Sequence, residues 1–303
     1  MKRRTGLFIS LLAIIGLIMA LPGCKPARSE KPIVTVTIAP QQYFAEKIAG
    51  DKFEIRTMVP NGSSPESFDP SPGALVNLSH SKAYFRIGHI GFELAWMDKL
   101  QQTNPDMKVF NNSEGIELIE GSEHACSDPS HHHHDTAEAI DPHVWTSAAN
   151  GKVIAQNMLN AFIELDPDNK SYYEANYKEL MQEVQQTSDS VDMLLKNMQG
   201  KSFVIYHPAL TYLAREYGMQ QHAIENQGKE PSAAHLKALI DEVRDSKAHV
   251  IFIQQEFDEK NARMIADELG IRVVQINPLS YEWSKELIEI AKALNDGETD
   301  SNK

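Results

Sequence analysis

The chain has few cysteines, no long apolar run after its first two dozen residues, and more acidic than basic side chains. Two cysteines among 303 residues cannot form a network of disulfide bonds, which excludes the small secreted disulfide-rich scaffolds. The formal net charge of −13 argues against nucleic acid as a partner. The charge suits a protein that binds cations, although many acidic proteins do not.

The first 24 residues are typical of a lipoprotein signal peptide. Basic residues at 2–4 precede an apolar run over 6–21, which is too short to favour a permanent membrane span. We predict cleavage and acylation at Cys24, followed by a polar tether over residues 25–31. The alternative is an ordinary cleaved signal in which Cys24 is structural. The sequence therefore predicts a lipoprotein anchored to a membrane, in the periplasm or at the cell surface.

Strand and helix patterns alternate along both halves of the remaining chain. About 280 residues are left without the leader, which exceeds what one core usually holds, so two lobes are expected. The alternation predicts α/β lobes with mostly parallel sheets flanked by helices. Strands are predicted over residues 33–38, 53–59, 83–87, 202–206, 249–254 and 272–276. Helices are predicted after the first strand, carrying Tyr43, Phe44 and Ile48, and near residues 73–80, 93–101, 209–217, 258–269 and 284–294.

A long uninterrupted segment separates these halves. Residues 172–198 contain no glycine or proline and carry apolar residues at helical spacing, which predicts one rigid helix of about 40 Å joining the lobes. Ligands of such sheets bind at the carboxyl ends of the strands, so a metal site is expected in the cleft between the lobes. The predicted divisions are signal peptide 1–24, tether 25–31, N-terminal lobe 32–170, linking helix 171–199, C-terminal lobe 200–296 and polar tail 297–303.

A loop at residues 121–139, within the N-terminal lobe, is rich in side chains that bind transition metals. Imidazole and thiolate suit zinc, copper, iron or nickel better than calcium or magnesium. The predicted ligands of this secondary site are His124, Cys126, His131, His132, His133 and His134. Ordering a loop costs about 1–2 kcal/mol per residue, so it should bind more weakly than a preformed cleft. The alternatives are an internal affinity tag or a low-complexity insertion with incidental affinity.

Two further histidines lie where a ligand between the lobes is expected. His143 precedes Trp145, which could shield a site from water, and His207 ends a predicted strand that Pro208 stops. Judged from these residues alone, each histidine is as easily structural as metal-binding.

Several motifs in order resemble the solute-binding lipoproteins of bacterial zinc and manganese ABC importers. The matching segments are SPESFDP at 64–70, DPHVW at 141–145, YHPALTYL at 206–213, GKEPS at 228–232, VIFIQQEF at 250–257 and INPL at 276–279. The resemblance covers nearly all of the mature chain, and the histidine-rich loop resembles the zinc-importing branch. It implies a monomeric protein that captures Zn²⁺ outside the cytoplasmic membrane and delivers it to an ABC permease, with Mn²⁺ or iron as the alternative.

The resemblance also implies a ligand set. His143 and His207 correspond to metal ligands, and Glu66 stands where a third histidine is common. We predict Glu66 as the third ligand because two histidines, a glutamate and a water form a familiar zinc site. Water, Asn277 or Glu256 would complete it, although the Asn277 amide is a poor zinc ligand. The Glu66 carboxylate shifts the preference towards manganese or iron, whereas the histidine loop favours zinc.

Two other classes of function compete with transport. A secreted zinc hydrolase would use the same kind of ligand set, but the chain has no His-Glu-x-x-His motif and no general base at a motif spacing. An adhesin is the second rival, and no residue distinguishes it. The sequence therefore predicts a transport protein that is not an enzyme.

Overall fold

Each half of the molecule contains a four-stranded parallel sheet. In this computed structural model the described residues are 31–120, 140–225, 229–246 and 248–301. The first sheet contains β1 (Ile33–Val36), β2 (Glu54–Thr57), β3 (Ser81–Arg86) and β4 (Lys108–Asn111). The second sheet contains β5 (Ser202–Ile205), β6 (Gln220–Ala223), β7 (Val250–Gln254) and β8 (Arg272–Ile276).

Helices connect the strands and join the two sheets. Those around the first sheet are α1 (Ala39–Ala49), α2 (Pro72–Leu78) and α3 (Gly91–Thr103). Those between the sheets are α4 (Ala148–Leu165) and α5 (Lys170–Leu195), preceded by 3₁₀ turns at Val144–Thr146 and Pro167–Asn169. Those of the second half are α6 (Thr211–Glu216), α7 (Ala233–Ser246), α8 (Lys260–Leu269) and α9 (Trp283–Ser301).

The two sheets share one topology. Their strand orders are β2-β1-β3-β4 and β6-β5-β7-β8, and every strand pair is parallel. In each sheet the chain reverses its direction of winding between the two central strands. Such a reversal leaves a crevice outside the carboxyl ends of these strands, where α/β proteins bind their ligands.

One apolar core runs through both sheets. Phe85 of β3, Phe252 of β7, Val184 of α5 and Ile290 of α9 all belong to it and are fully buried. The opposite face of the second sheet packs α7 and α8 into a separate cluster that includes Val204 and Ile251. A shared core opposes hinge motion, because opening would expose apolar surface at about 25 cal/mol per Å².

The long helix α5 has 26 residues and a length of about 39 Å. The predicted fold, with two parallel sheets flanked by helices and one long helix between them, is confirmed. The domain limits drawn from the sequence stay predictions. All described residues from 32 onward belong to one compact unit, Pro32–Lys303.

The final helix returns to the first lobe. At its start the Trp283 ring lies 4.8 Å from the Phe44 ring on α1, and the Ser284 hydroxyl is 3.0 Å from the Tyr43 hydroxyl. Helix α9 therefore packs on both halves. Among the residues that the structure describes, no helix combines the length and the apolar character needed to cross a membrane.

Candidate metal site

Glu66, His143 and His207 converge between the two sheets. Each offers one ligand atom, and these atoms all lie within 4.8 Å of one another. Glu66 lies in the loop after β2, His143 directly precedes the 3₁₀ turn at Val144–Thr146, and His207 follows β5. The structure thus brings together three side chains that are 77 and 64 residues apart in sequence.

His143 is oriented by an aspartate two residues earlier. Its Nδ1 lies 2.8 Å from Asp141 Oδ1, and its backbone N–H donates to the same oxygen at 2.9 Å. A carboxylate accepts, so Nδ1 carries the hydrogen and Nε2 keeps its lone pair for a metal. His143 is only 6% exposed.

Neighbouring charges shift the titration of this pair. Burial alone would lower the pKa of His143, but the carboxylates of Asp141, Glu66 and Glu225 outweigh it and raise that pKa above the ordinary value. Burial raises the pKa of Asp141, and the charge of His143 together with its hydrogen bonds reverses the effect and lowers it. Because the pKa of His143 is raised, a metal ion competes with a proton for Nε2 at a higher pH than it would at an ordinary histidine.

His207 is held in the same manner by the second sheet. Its Nδ1 lies 2.8 Å from Glu225 Oε1, and the side chain of Gln254 accepts from the His207 N–H at 3.3 Å and donates to its carbonyl at 2.6 Å. The ring stacks on Phe257 with centroids 5.5 Å apart. Like His143, His207 thus directs Nε2 away from its carboxylate partner.

The two Nε2 atoms face each other at 3.1 Å. With a carboxylate on each Nδ1, both neutral rings present lone pairs across this gap, and only a proton or a cation between them relieves the repulsion. Zinc–nitrogen bonds of 2.0–2.1 Å at a tetrahedral angle separate two nitrogens by about 3.3 Å. The spacing of the imidazoles therefore fits one tetrahedral zinc ion.

Glu66 supplies the only carboxylate of this three-residue cluster. Its Oε2 accepts from the N–H of Gly91 at 3.0 Å. Its Oε1 is buried and has no hydrogen-bond partner among the described residues. A buried acceptor without a partner is costly, and a bound cation would satisfy it.

A cavity contains the cluster, with Glu66, His143 and His207 in its wall. Much of its wall is apolar, contributed by Pro65, Trp145, Phe257, Pro278 and Leu279. Walls of this kind displace water and strengthen the attraction between a cation and its ligands.

The two candidates for a fourth ligand are placed differently. Glu256 lines the cavity, and its Oε1 is buried without a partner in the described part of the chain. Its oxygens are not in the set that lies within 4.8 Å, so a side-chain movement would be needed. Asn277 is not among the residues that line the cavity, and its side-chain oxygen accepts from the N–H of Leu279 at 3.2 Å. The geometry favours Glu256, and both assignments stay predictions.

The predicted lipidation site and the secondary metal loop lie outside the described residues. They comprise Cys24, His124, Cys126, His131, His132, His133 and His134. The described residues on either side of the predicted loop pair with each other, because Glu120 and Ile140 form an antiparallel bridge and the Asp141 N–H donates to the Ile119 carbonyl at 2.9 Å. These flanking residues thus lie beside the aspartate that orients His143.

Three supporting residues were missed by sequence reasoning. Glu225 and Gln254 orient His207, and Gly91 holds Glu66. Gln254 lies in a motif that carried the resemblance, at the end of a predicted strand, and this position was a usable signal. Glu225 and Gly91 lie outside the matched motifs.

The fold and the cluster define a two-lobed α/β protein in which two histidines and a glutamate that could hold a metal ion lie between the sheets. A family model described as "ZnuA: Zinc-uptake complex component A periplasmic" matches residues 34–293. The match covers most of the chain, and the chain belongs to this family.

Individual relatives include zinc and manganese proteins. The chain is 29% identical over 287 residues to the high-affinity zinc uptake system protein ZnuA of Bacillus subtilis, covering 92% of this chain and 89% of that protein. It is 26% identical over 286 residues to the manganese ABC transporter substrate-binding lipoprotein PsaA of Streptococcus mitis, covering 90% and 88%. A crystal structure of ZnuA superposes with a TM-score of 0.79 at 34% identity, covering 88% of this chain and 98% of that chain.

Proposed function

We propose that this protein captures Zn²⁺ outside the cytoplasmic membrane and delivers it to an ABC-type permease. The observation that carries the proposal is the 3.1 Å separation of the two Nε2 atoms, with each Nδ1 held by its own carboxylate. In this proposal His143, His207 and Glu66 bind the ion, while water or Glu256 takes the fourth position. Asp141 and Glu225 keep the imidazoles in the tautomer that binds metal.

Delivery to a permease and attachment to a membrane rest on relatedness. The family is named for a zinc-uptake complex, and the relative from Streptococcus mitis is named a lipoprotein of an ABC transporter. The proposed route is therefore capture in the cleft by a monomer that is held to a membrane through lipid on Cys24, followed by docking and release.

Zinc is preferred to manganese because two of the three ligands are imidazoles. Imidazole suits zinc, whereas manganese favours carboxylate, carbonyl and water oxygens in octahedral sites. The manganese relative makes Mn²⁺ the second candidate.

A zinc-dependent hydrolase is the main alternative to a transport protein, because such enzymes use a similar set of metal ligands. The family is named as an uptake component rather than an enzyme. Glu256 is the cavity carboxylate outside the ligand set, and here it is assigned to the fourth position or its water. No hydrolytic turnover is therefore proposed.

Competitive zinc titration of the chain lacking residues 1–24 tests the proposal, since this chain keeps the whole compact unit. We expect tight binding of one zinc ion that is severely weakened by His143→Ala, His207→Ala and Glu66→Ala. His80→Ala is the matched control, because His80 is exposed and lies outside the cluster.

A deletion of residues 123–135 separates the cleft from the loop. The tight site should survive this deletion. If zinc binding disappears with the loop and the three point variants bind like the wild type, the cleft is not the capture site and the proposal fails.

A further inference from the structure

The loop that carries Glu66 is docked on the first turn of α3. The N–H of Phe92 donates to the Pro65 carbonyl at 3.1 Å, and the N–H of Gly91 donates to Glu66 Oε2 at 3.0 Å. The rings of Phe68 and Phe92 pack edge to face with centroids 5.4 Å apart. Two hydrogen bonds and one aromatic contact therefore fix where the carboxylate lies.

Only glycine at position 91 leaves room for this arrangement. A Cβ atom built there would lie 2.5 Å from the Glu66 carbonyl oxygen and 3.0 Å from Oε2. Contacts this short to a backbone atom force the loop to move, since protein interiors are close-packed. Gly91 thus supplies both the amide that binds Oε2 and the space that Glu66 occupies.

The turn that presents this amide is itself held in place. Buried Glu93 accepts hydrogen bonds from the N–H groups of Ile87 and Gly88 and from the Thr37 hydroxyl. Gly88 has a φ of 110°, which disfavours side chains at that position. The connection from β3 to α3 is therefore fixed before any ion binds.

The result is a carboxylate with two unlike oxygens. Oε2 is committed to the amide at the helix N-terminus, where the aligned peptide dipoles also favour negative charge. Oε1 is buried and has no partner in the described residues. A carboxylate with both oxygens free can chelate an ion and raise its coordination number, whereas in Glu66 Oε2 is held on the Gly91 amide and Oε1 is the oxygen left without a partner among the described residues.

We infer that Gly91 is a specificity-determining position that restricts Glu66 to one-oxygen binding and so favours four-coordinate Zn²⁺ over Mn²⁺. The inference rests on the proposed function. Two imidazoles, one carboxylate oxygen and one further ligand complete a tetrahedral zinc site. They leave an octahedral manganese ion short of ligands.

Replacing Gly91 by alanine tests the inference. Loss of an outer partner of a ligand typically weakens metal binding by about 10–100-fold, and we expect Gly91→Ala to weaken zinc by that factor and manganese by less. The zinc-to-manganese affinity ratio should fall at least about tenfold. Gly73→Ala is the matched control, because Gly73 also lies in the first turn of a helix and an added Cβ would come no closer than 3.8 Å to Ser71 Oγ.

A double variant shows whether the effect passes through Glu66. If it does, Gly91→Ala combined with Glu66→Ala should bind zinc as weakly as Glu66→Ala alone, because residues in contact are not additive. Additive losses, or a Gly91→Ala protein with an unchanged affinity ratio, would overturn the inference. Thermal unfolding of the metal-free proteins shows whether each variant folds.

Two further measurements keep the inference testable if Gly91→Ala does not fold. Glu66→Asp leaves position 91 uncrowded, but its shorter side chain reaches less far towards the Gly91 amide and the metal. Zinc affinity should therefore fall at least about tenfold. Unchanged binding would contradict the inference. Cobalt(II) in the wild-type protein should show the strong visible absorption of a four-coordinate ion.

The outcomes separate the inference from the proposed function. A weak cobalt spectrum typical of six ligands, in a wild-type protein that binds zinc tightly through His143 and His207, would defeat the inference alone. A wild-type protein without tight zinc binding would defeat the proposed function first.

Discussion

The two sheets have the same strand order but different chemistry at their carboxyl ends. At the first, buried Glu93 accepts from Thr37, Ile87 and Gly88 and so ties β1 to β3. At the second, His207 after β5 is held through Nδ1 and its backbone, and its Nε2 faces His143. Topology places the crevice, while the partners of each polar atom decide whether a side chain is structural or binds a ligand.

The largest expected contrast is between a variant that removes His207 and a variant that replaces Glu93. His207→Ala should weaken zinc by more than about 100-fold, since removing a ligand exceeds the loss of an outer partner. Its free energy of unfolding without metal should change little. Glu93→Gln should do the reverse, losing about 2–3 kcal/mol of stability because buried donors lose their acceptor, while zinc weakens less than about tenfold.

Denaturant unfolding and zinc competition on both variants measure this contrast. The pH adds a signature, because burial raises the pKa of Glu93 in the folded protein. The folded state then holds more protons than the unfolded chain above pH of about 4.3, so this group's contribution to stability falls as pH rises through the folded pKa. Glu93→Gln should lack that slope. A Glu93→Gln protein that is stable but cannot bind zinc would break the comparison.

A smaller effect is expected from the carboxylate that orients His143. Because the pKa of His143 is raised above its ordinary value, zinc competes with a proton at a higher pH than it would at an ordinary histidine. Below that raised pKa, zinc affinity should fall about tenfold per pH unit if one proton is released. A histidine with an ordinary pKa would show this loss only below about pH 6.5.

Asp141→Asn should weaken zinc by about 10–100-fold at pH 8 and move the onset of the pH dependence downward, because the charge that raises the pKa of His143 is gone. The metal-free wild type should gain stability from this pair below the unfolded histidine pKa and lose it as pH rises through the folded pKa. Zinc titrations between pH 5.5 and 8, as a rough range, measure the shift. An onset at the same pH in both proteins would show that Asp141 does not control this titration.

The regular parts of the fold were predictable from the sequence. The β-branched residues of β1 and the glycine-free, proline-free length of α5 led directly to their elements. By contrast, the helices α4 (Ala148–Leu165) and α7 (Ala233–Ser246) and the strands β4 (Lys108–Asn111) and β6 (Gln220–Ala223) were missed, although α4 packs against both α1 and α5. The helix α9 runs to Ser301 rather than ending near residue 294.

The candidate ligands were predictable because motifs mark them, whereas their partners were not. Glu225 and Gly91 reach the site only through the fold, from the end of β6 and the start of α3. Sequence spacing does not show which oxygen of Glu66 is free, since that depends on an amide 25 residues away. The choice of Glu256 over Asn277 as the fourth ligand likewise depended on knowing which residues line the cavity.

The smallest expected effect concerns the contacts that hold the two halves together near the candidate metal site. The Trp145 ring donates to the Pro278 carbonyl at 2.8 Å, and the Trp283 ring donates to the Trp145 carbonyl at 2.6 Å. Trp283 also fills the space above Gly151, where an added Cβ would lie 2.7 Å from its ring. These contacts clamp the turn that follows His143 against the start of α9.

Trp283→Phe keeps an aromatic ring but removes the donor, so we expect a loss of about 1–2 kcal/mol of stability and less than about tenfold in zinc affinity. Trp96→Phe is the matched control, because Trp96 is a partly buried tryptophan on α3 whose ring lies under the Lys99 ammonium group of the same helix. Zinc titration and thermal unfolding compare the two. If Trp283→Phe abolished zinc binding while leaving stability unchanged, the contact between the halves would belong to the site itself, and the division between a binding crevice and a structural frame would need to be redrawn.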